Sequence, residues 1–256
     1  MNDHLMDNPL FSLAGQKVLV IGGTSGIGLA TAEAAADCGA TVSIAARNSN
    51  RIANVCKAIT QRSGLNVTGV TLNIEDRNAV RNFLFAEAPF KHLLLPGSTV
   101  VPELFNKISE NVSRSSFDSK FWGPLWAAID AVQFMPDGGS ITFYSGVAAE
   151  RPVKGFVIGA AIDGAINSLT RSLALELGSY NLRVNAISPG LIVTPLLSNI
   201  DHFVSRSDPR DELAQRSPLA KSGRPIDCAI AAIGFMINDY ITGEVLNVEG
   251  GARTMP

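Results

Sequence analysis

Three cysteines and three histidines are too few, and too scattered, to build a disulfide framework or a metal site. Cys38, Cys56 and Cys228 are odd in number and match no ligand spacing, so they are expected to be small core hydrophobes in a reducing compartment. Net charge is nearly absent as well: Lys and Arg total 21 against 23 Asp and Glu, a formal charge of −2. That balance gives no electrostatic reason to expect nucleic acid or an anionic membrane surface as a partner. No uninterrupted apolar run approaches the length needed to cross a bilayer. Residues 1–13 are polar, carry Pro9, and have neither a basic start nor an apolar stretch, which argues against a secretory signal. Internal repeats and low-complexity tracts are missing too. The expected location is the cytoplasm.

What is present is a large apolar fraction, 46% of 256 residues, arranged in short runs that alternate with helical patterns. This is the signature of βαβ units and a parallel sheet covered on both faces, within one domain. Strands are predicted at Lys17–Ile21, 41–45, 67–72, 91–95, Ser140–Tyr144, 183–187 and Val245–Val248. Helices are predicted at 26–38, 117–135 and 156–178, the second stopped by Pro136-Asp137-Gly138-Gly139. Between the last two strands, residues 191–218 are rich in Pro, Ser and Asp, and an irregular insertion of that length suggests a lid over a substrate.

The first strand leads through Gly22-Gly23-Thr24-Ser25-Gly26-Ile27-Gly28 into a helix. Glycines there let the backbone turn sharply and approach a pyrophosphate, which the N–H groups at the helix start then bind. Gly22, Thr24, Ser25, Gly26 and Ile27 are therefore cofactor-binding candidates.

Gly22, Gly26 and Gly28, then Arg183-Val184-Asn185-Ala186-Ile187-Ser188-Pro189-Gly190, then Ile241-Thr242-Gly243-Glu244-Val245-Leu246-Asn247-Val248-Glu249-Gly250-Gly251 together resemble the short-chain dehydrogenase/reductase family over essentially the whole chain. The resemblance implies a Rossmann-type, doubly wound, seven-stranded parallel α/β sheet and a homotetramer or homodimer built on helices 117–135 and 156–178. It adds Pro189, Gly190, Ile192 and Thr194 to the cofactor residues, with Thr194 reaching the nicotinamide amide. Asn73 and Ile74 fall beside the adenine, and Pro96-Gly97-Ser98 replaces the usual turn after the fourth strand. At the end of the second strand, an acidic residue would repel a 2′-phosphate. This chain has Arg47, a planar cation suited to a phosphate, with Asn48 and Ser49 as further donors. NADP(H) is expected over NAD(H).

Aligned on the same motifs, the family's catalytic asparagine, serine, tyrosine and lysine fall on Lys120, Gly146, Gly159 and Asp163. A shift of one makes Ser145 the serine. No shift restores the tyrosine–lysine pair, because residues 145–179 contain no tyrosine and only Lys154. Gly159 would leave room for a bulky substrate. Asp163 puts a carboxylate where a cation stood, and Lys120 puts a cation on the facing helix, so the two are expected to pair. That pair is read either as a structural ion pair or as a carboxylate that meets a cationic substrate.

Reducing a neutral carbonyl needs a proton donor, whereas an iminium ion becomes a neutral amine on accepting hydride. The expected activity is thus an NADP(H)-dependent oxidoreductase acting on a bulky, cationic C=N substrate that Asp163 stabilises. The alternatives are a cofactor-retaining cyclase of alkaloid type and an inactive nucleotide-binding homologue. Tyr144 is a candidate substitute acid, or else a buried strand tyrosine. Glu150 and Arg151 rim the site or are solvated. His92 is expected in the core, and His4 and His202 in polar segments.

Overall fold

The computed structural model of the protein describes residues 9–96, 100–195 and 217–254. Seven strands, β1 (Lys17–Ile21), β2 (Thr41–Ala46), β3 (Val67–Thr71), β4 (His92–Leu95), β5 (Ser140–Tyr144), β6 (Arg183–Pro189) and β7 (Val245–Val248), form one sheet. Their spatial order is β3-β2-β1-β4-β5-β6-β7, and every pairing is parallel. The helices are α1 (Gly26–Asp37), α2 (Ser49–Ser63), α3 (Arg77–Glu87), α4 (Glu110–Phe117), α5 (Gly123–Ala131), α6 (Val157–Leu177) and α7 (Pro225–Ile237). This is the doubly wound α/β domain expected from the sequence pattern. Strand order reverses between β1 and β4, so the crevice at their carboxyl ends is the natural ligand site.

A parallel sheet covered on both faces reads as unbroken apolar runs because both sets of alternating side chains are buried. Val18 and Val20 join Val42, Ile44 and Leu94 in a core covered by α1, α2 and α7. Leu19 and Ile21 join Leu93, Leu95, Ile141 and Phe143 in a second core under α3, α5 and α6. The alanine face of α1 brings it close against Ala229 and Ala232 of α7.

Three helices, α2, α3 and α7, stand where the sequence reading left connections. Their signals are local: Asn48 caps α2 by accepting from Arg51 N–H, and Gly64 ends it in the left-handed region at φ 72°. Asp76 caps α3 through Ala79 N–H, and Pro225 opens α7.

The helix expected over 117–135 differs more. It starts at Glu110, passes through a π turn at Asp118–Trp122, and resumes as α5. Pro124 has no N–H to give to the carbonyl of Lys120, which breaks the regular ladder there, and Gly123 N–H bonds Asp118 O instead. The widened turn packs against α6 and carries Lys120.

His92 lies in the core, 1% exposed, with Nε2 2.6 Å from Gln16 Oε1 and Nδ1 2.8 Å from Ser140 Oγ. The Gln oxygen can only accept, so Nε2 carries the proton and the Ser140 hydroxyl donates to Nδ1. Burial, with Arg183 and Lys91 adding repulsion, lowers its pKa from 6.5 to about 3. Below about pH 6.5 the unfolded chain therefore binds a proton that the folded chain refuses. Stability conferred by the neutral ring is present above that pH and is lost on acidification, by up to about 1.4 kcal/mol per pH unit until about pH 3. His92→Gln is expected to flatten that slope in urea unfolding. An unchanged slope would show that the acid sensitivity lies elsewhere.

Among the described residues, no helix is long and apolar enough to cross a membrane. Most of the insertion assigned to 191–218, with Gly97, Ser98, His4 and His202, lies outside the described residues.

Candidate active site

The loop between β1 and α1 can exist only with glycine at Gly28, where a Cβ would stand 2.2 Å from Gly22 O. Gly22 and Gly26 have φ of 103° and 53°. Ser25, at the N-cap of α1, makes no side-chain cap, so Thr24, Ser25, Gly26 and Ile27 surround N–H groups that have no side-chain acceptor from it. Loops from two other strands close on the same turn. Thr194 Cγ2 lies 3.2 Å from the Cβ position of Gly26, and Pro96 Cγ lies 3.0 Å from that of Gly28. Pro189 ends β6, and Gly190 donates its N–H to Val248 O while its α-carbon rests against Glu249, which a Cβ would meet at 2.6 Å. Ile192 is buried and bridges to Gly223.

Arg47 follows β2 and is exposed beside the start of α2. Asn48 does not serve purely as a donor, as expected, because its side-chain oxygen is taken by the α2 cap; its amide group and Ser49 remain on the crevice end of that helix. An anion there also meets the positive end of α2. Asn73 follows β3 and turns its oxygen to Glu75 N–H, leaving its amide group, while Ile74 packs against Gly123. The bare glycine cradle and the helix start without a side-chain cap are the donor set that the pyrophosphate of a nicotinamide dinucleotide requires, and the residues fit it.

At the other end of the crevice, Lys120 Nζ lies 2.6 Å from Asp163 Oδ1, with side chains 14% and 5% exposed. The two residues predicted to pair do so. Asp163 Oδ2 stands where a side chain on residue 146 would project, since a Cβ on Gly146 would meet it at 2.5 Å. Gly146 is extended (φ −173°, ψ 154°) and lies just past β5, at the start of the short turn that follows. Ser145 is buried, with its hydroxyl lacking a hydrogen-bond partner among the described residues, and the position whose Cβ would meet the Asp163 carboxylate is 146.

Two expectations are corrected. Tyr144 is not in the site: alternation along β5 turns it to the α1 side, where its hydroxyl lies 3.3 Å from Thr31 Oγ1. Thr31 gives its own proton to Ile27 O, so Tyr144 is the donor, and burial raises its pKa. The room expected at Gly159 is also occupied. A Cβ there would stand 3.0 Å from Phe156 Cδ1 and 3.3 Å from Val100 Cγ1. Phe156, at the N-cap of α6, is a site residue that the sequence reading missed.

Glu150 and Arg151, in the segment that follows β5, are fastened: Glu150 accepts from Arg253 at 3.3 Å, and Arg151 donates to the carbonyl of Ala252. Among the described residues no group of three His, Cys, Asp or Glu is placed to hold a metal.

Comparison with known proteins places these features in context. A family model described as Enoyl-(Acyl carrier protein) reductase matches residues 22–253. A short-chain dehydrogenase/reductase of Stachybotrys chlorohalonatus is 32% identical over 252 residues, which cover 94% of this chain and 98% of that protein. Among solved structures, the MalC reductase/Diels-Alderase of Malbranchea aurantiaca superposes with a TM-score of 0.85 at 28% identity, covering 94% of this chain and 97% of that one. A short chain dehydrogenase of Burkholderia cenocepacia, in complex with NADP, gives 0.85 at 25% identity, covering 94% and 98%.

Proposed function

The chain belongs to the short-chain dehydrogenase/reductase family of oxidoreductases, whose fold binds a nicotinamide cofactor, and on that footing we propose that it is an NADP(H)-dependent reductase of an imine or iminium. The observation that carries this reading is the Asp163 carboxylate, held by Lys120 through Oδ1 and presenting Oδ2 in the place of a side chain at 146. Arg47 beside the α2 start supports the 2′-phosphate of NADP(H). The nicotinamide, when bound, supplies hydride.

The chain's own residues set the charge requirement. Asp163 favours a positively charged nitrogen over a neutral oxygen, and it raises the pKa of a neutral imine so that the imine is held as iminium. No residue among those described offers the tyrosine hydroxyl that an alkoxide product would need, because Tyr144 faces the other core. This divergence from the family's tetrad supports C=N over C=O as the substrate bond.

A second reading has one observation in its favour: the 28%-identical structure is that of a reductase that is also a Diels-Alderase. Ring closure in the same pocket would use Asp163 to polarise a cationic diene or dienophile. A homodimer or homotetramer is supported by the exposed Trp122, Ile129 and Val157 on the π turn, α5 and α6.

The test follows NADPH oxidation by the purified chain with N-methyl dihydroisoquinolinium and, separately, with α-tetralone, a neutral ketone of similar size. The iminium is expected to be reduced at least about tenfold faster at equal concentration, with NADPH preferred to NADH. Ketone reduction at an equal or greater rate would sink the C=N reading, and equal use of NADH would sink the role of Arg47.

A further inference from the structure

Gly159 and Asp163, one turn apart, share a stripe of α6, and Phe156 stands ahead of them at the N-cap, so the start of the helix carries an aromatic ring, a glycine and a carboxylate. The ring is not directed away from this stripe. Its Cδ1 and Cε1 lie 3.0 and 3.7 Å from where a Cβ on Gly159 would be, so it folds over the glycine from the N-terminal side. Asp163 lies about one turn further on, and helical side chains lean toward the N-terminus, so its carboxylate leans toward the same glycine. The turn ahead of Phe156 is fastened by Glu103 N–H donating to Gly155 O at 2.9 Å, with Gly155 at φ 84°. That bond ties down the segment that brings Val100 against the glycine as well.

A carboxylate alone attracts any cation, including a strongly hydrated ammonium. An aromatic face selects differently, because its quadrupole attracts cations that shed water easily and lie flat against it. The two together discriminate by charge and by shape.

We propose that Phe156 is a specificity-determining residue: its ring, which covers Gly159, and the Asp163 carboxylate one turn further on form one recognition surface for a planar, delocalised organic cation. The inference rests on the C=N reading and narrows its substrate to iminium ions conjugated with a flat unsaturated group. It also separates substrate from product, since a reduced amine is tetrahedral at nitrogen and, once protonated, firmly hydrated.

Calorimetry on the NADPH-loaded protein tests this without requiring turnover. The probes are N-methylisoquinolinium and isoquinoline, the latter at a pH where it is neutral. Phe156→Leu keeps apolar volume and removes the π face, so it is expected to weaken cation binding about fivefold, the factor corresponding to about 1 kcal/mol of cation–π attraction. Binding of neutral isoquinoline is expected to stay within about twofold, and Phe156→Trp to restore or exceed native cation affinity. NADPH affinity and melting temperature report whether the variants keep the fold. Equal losses for both probes would reduce Phe156 to packing and overturn the proposal, as would no loss, or a native protein that binds the neutral probe as tightly as the cation. If the cation binds and Phe156→Leu weakens it, but the dihydro iminium is never reduced, the recognition surface stands and the reductase reading falls.

Discussion

Asp163→Ala lowers kcat/KM for N-methyl dihydroisoquinolinium by about 10²–10³, with NADPH affinity unchanged. The magnitude follows from geometry: a unit charge about 4 Å from a carboxylate gains about 4 kcal/mol at the effective dielectric of a partly buried site. Asp163 is 5% exposed, so solvent screens it little, but Lys120 at 2.6 Å offsets part of its field. The loss should fall mainly on KM. A permanently charged iminium surrenders its charge as hydride arrives, so the carboxylate holds the ground state at least as well as the transition state. For a neutral imine the same substitution should also depress the rate as pH rises, because the site no longer raises the pKa of the bound nitrogen.

A structural role for the ion pair predicts something else. Removing Asp163 leaves the Lys120 ammonium, 14% exposed, without its partner, at a cost of about 3–5 kcal/mol if it behaves as a buried charge. Lys120→Met combined with Asp163→Ala should recover that stability and leave the iminium reaction impaired. Steady-state kinetics and urea unfolding on the native protein and these two variants separate the two roles. Recovery of activity together with stability in the double variant would make the pair purely structural.

How far the sequence discloses this site depends on whether a residue's direction follows from local rules. The glycine loop does follow, because Gly22, Gly26 and Gly28 admit one kind of turn. The strands do too: seven apolar runs bounded by turns all appear within a residue or two of their expected limits. Lys120 and Asp163 were legible as partners from their places on two helices that flank β5. Tyr144 was not placed, because period-two alternation says that Ile141 and Phe143 oppose Thr142 and Tyr144 without saying which set faces α6. Packing decides that. Pro124 could have revealed the π turn, since a proline inside a helical pattern must cost a ladder bond. Phe156 escaped for a different reason. It stands at the N-cap of α6 with φ −109° and ψ 26°, outside regular helix geometry, so the direction of its ring is set by Val100 and Gly159 rather than by periodicity.

One methyl group should reproduce much of the Asp163 defect. Gly146→Ala introduces a Cβ 2.5 Å from Asp163 Oδ2 and 3.1 Å from its Cγ, the first of which no real contact tolerates. The backbone is no obstacle, since φ −173° is ordinary extended geometry for alanine. The carboxylate must therefore move, and its hydrogen bond to Lys120 pins it from the other side. Iminium kcat/KM is expected to fall about 10²-fold, close to the loss on deleting the charge. Gly146→Ser, which returns the hydroxyl that the family resemblance assigns to this position, should behave no better. It supplies a binding group for a carbonyl oxygen while displacing the carboxylate, and it brings no tyrosine to donate a proton, so ketone reduction should not appear. The cause is isolated by a double-mutant cycle. In a Lys120→Met/Asp163→Ala background nothing remains for the methyl to strike, and Gly146→Ala should then cost less than about twofold, a coupling of nearly the whole single-variant effect. If instead the full 10²-fold loss persists without Asp163, the methyl obstructs the substrate or the nicotinamide directly. In that case the small residue at 146 serves access to the crevice, and the position of the carboxylate is incidental to it.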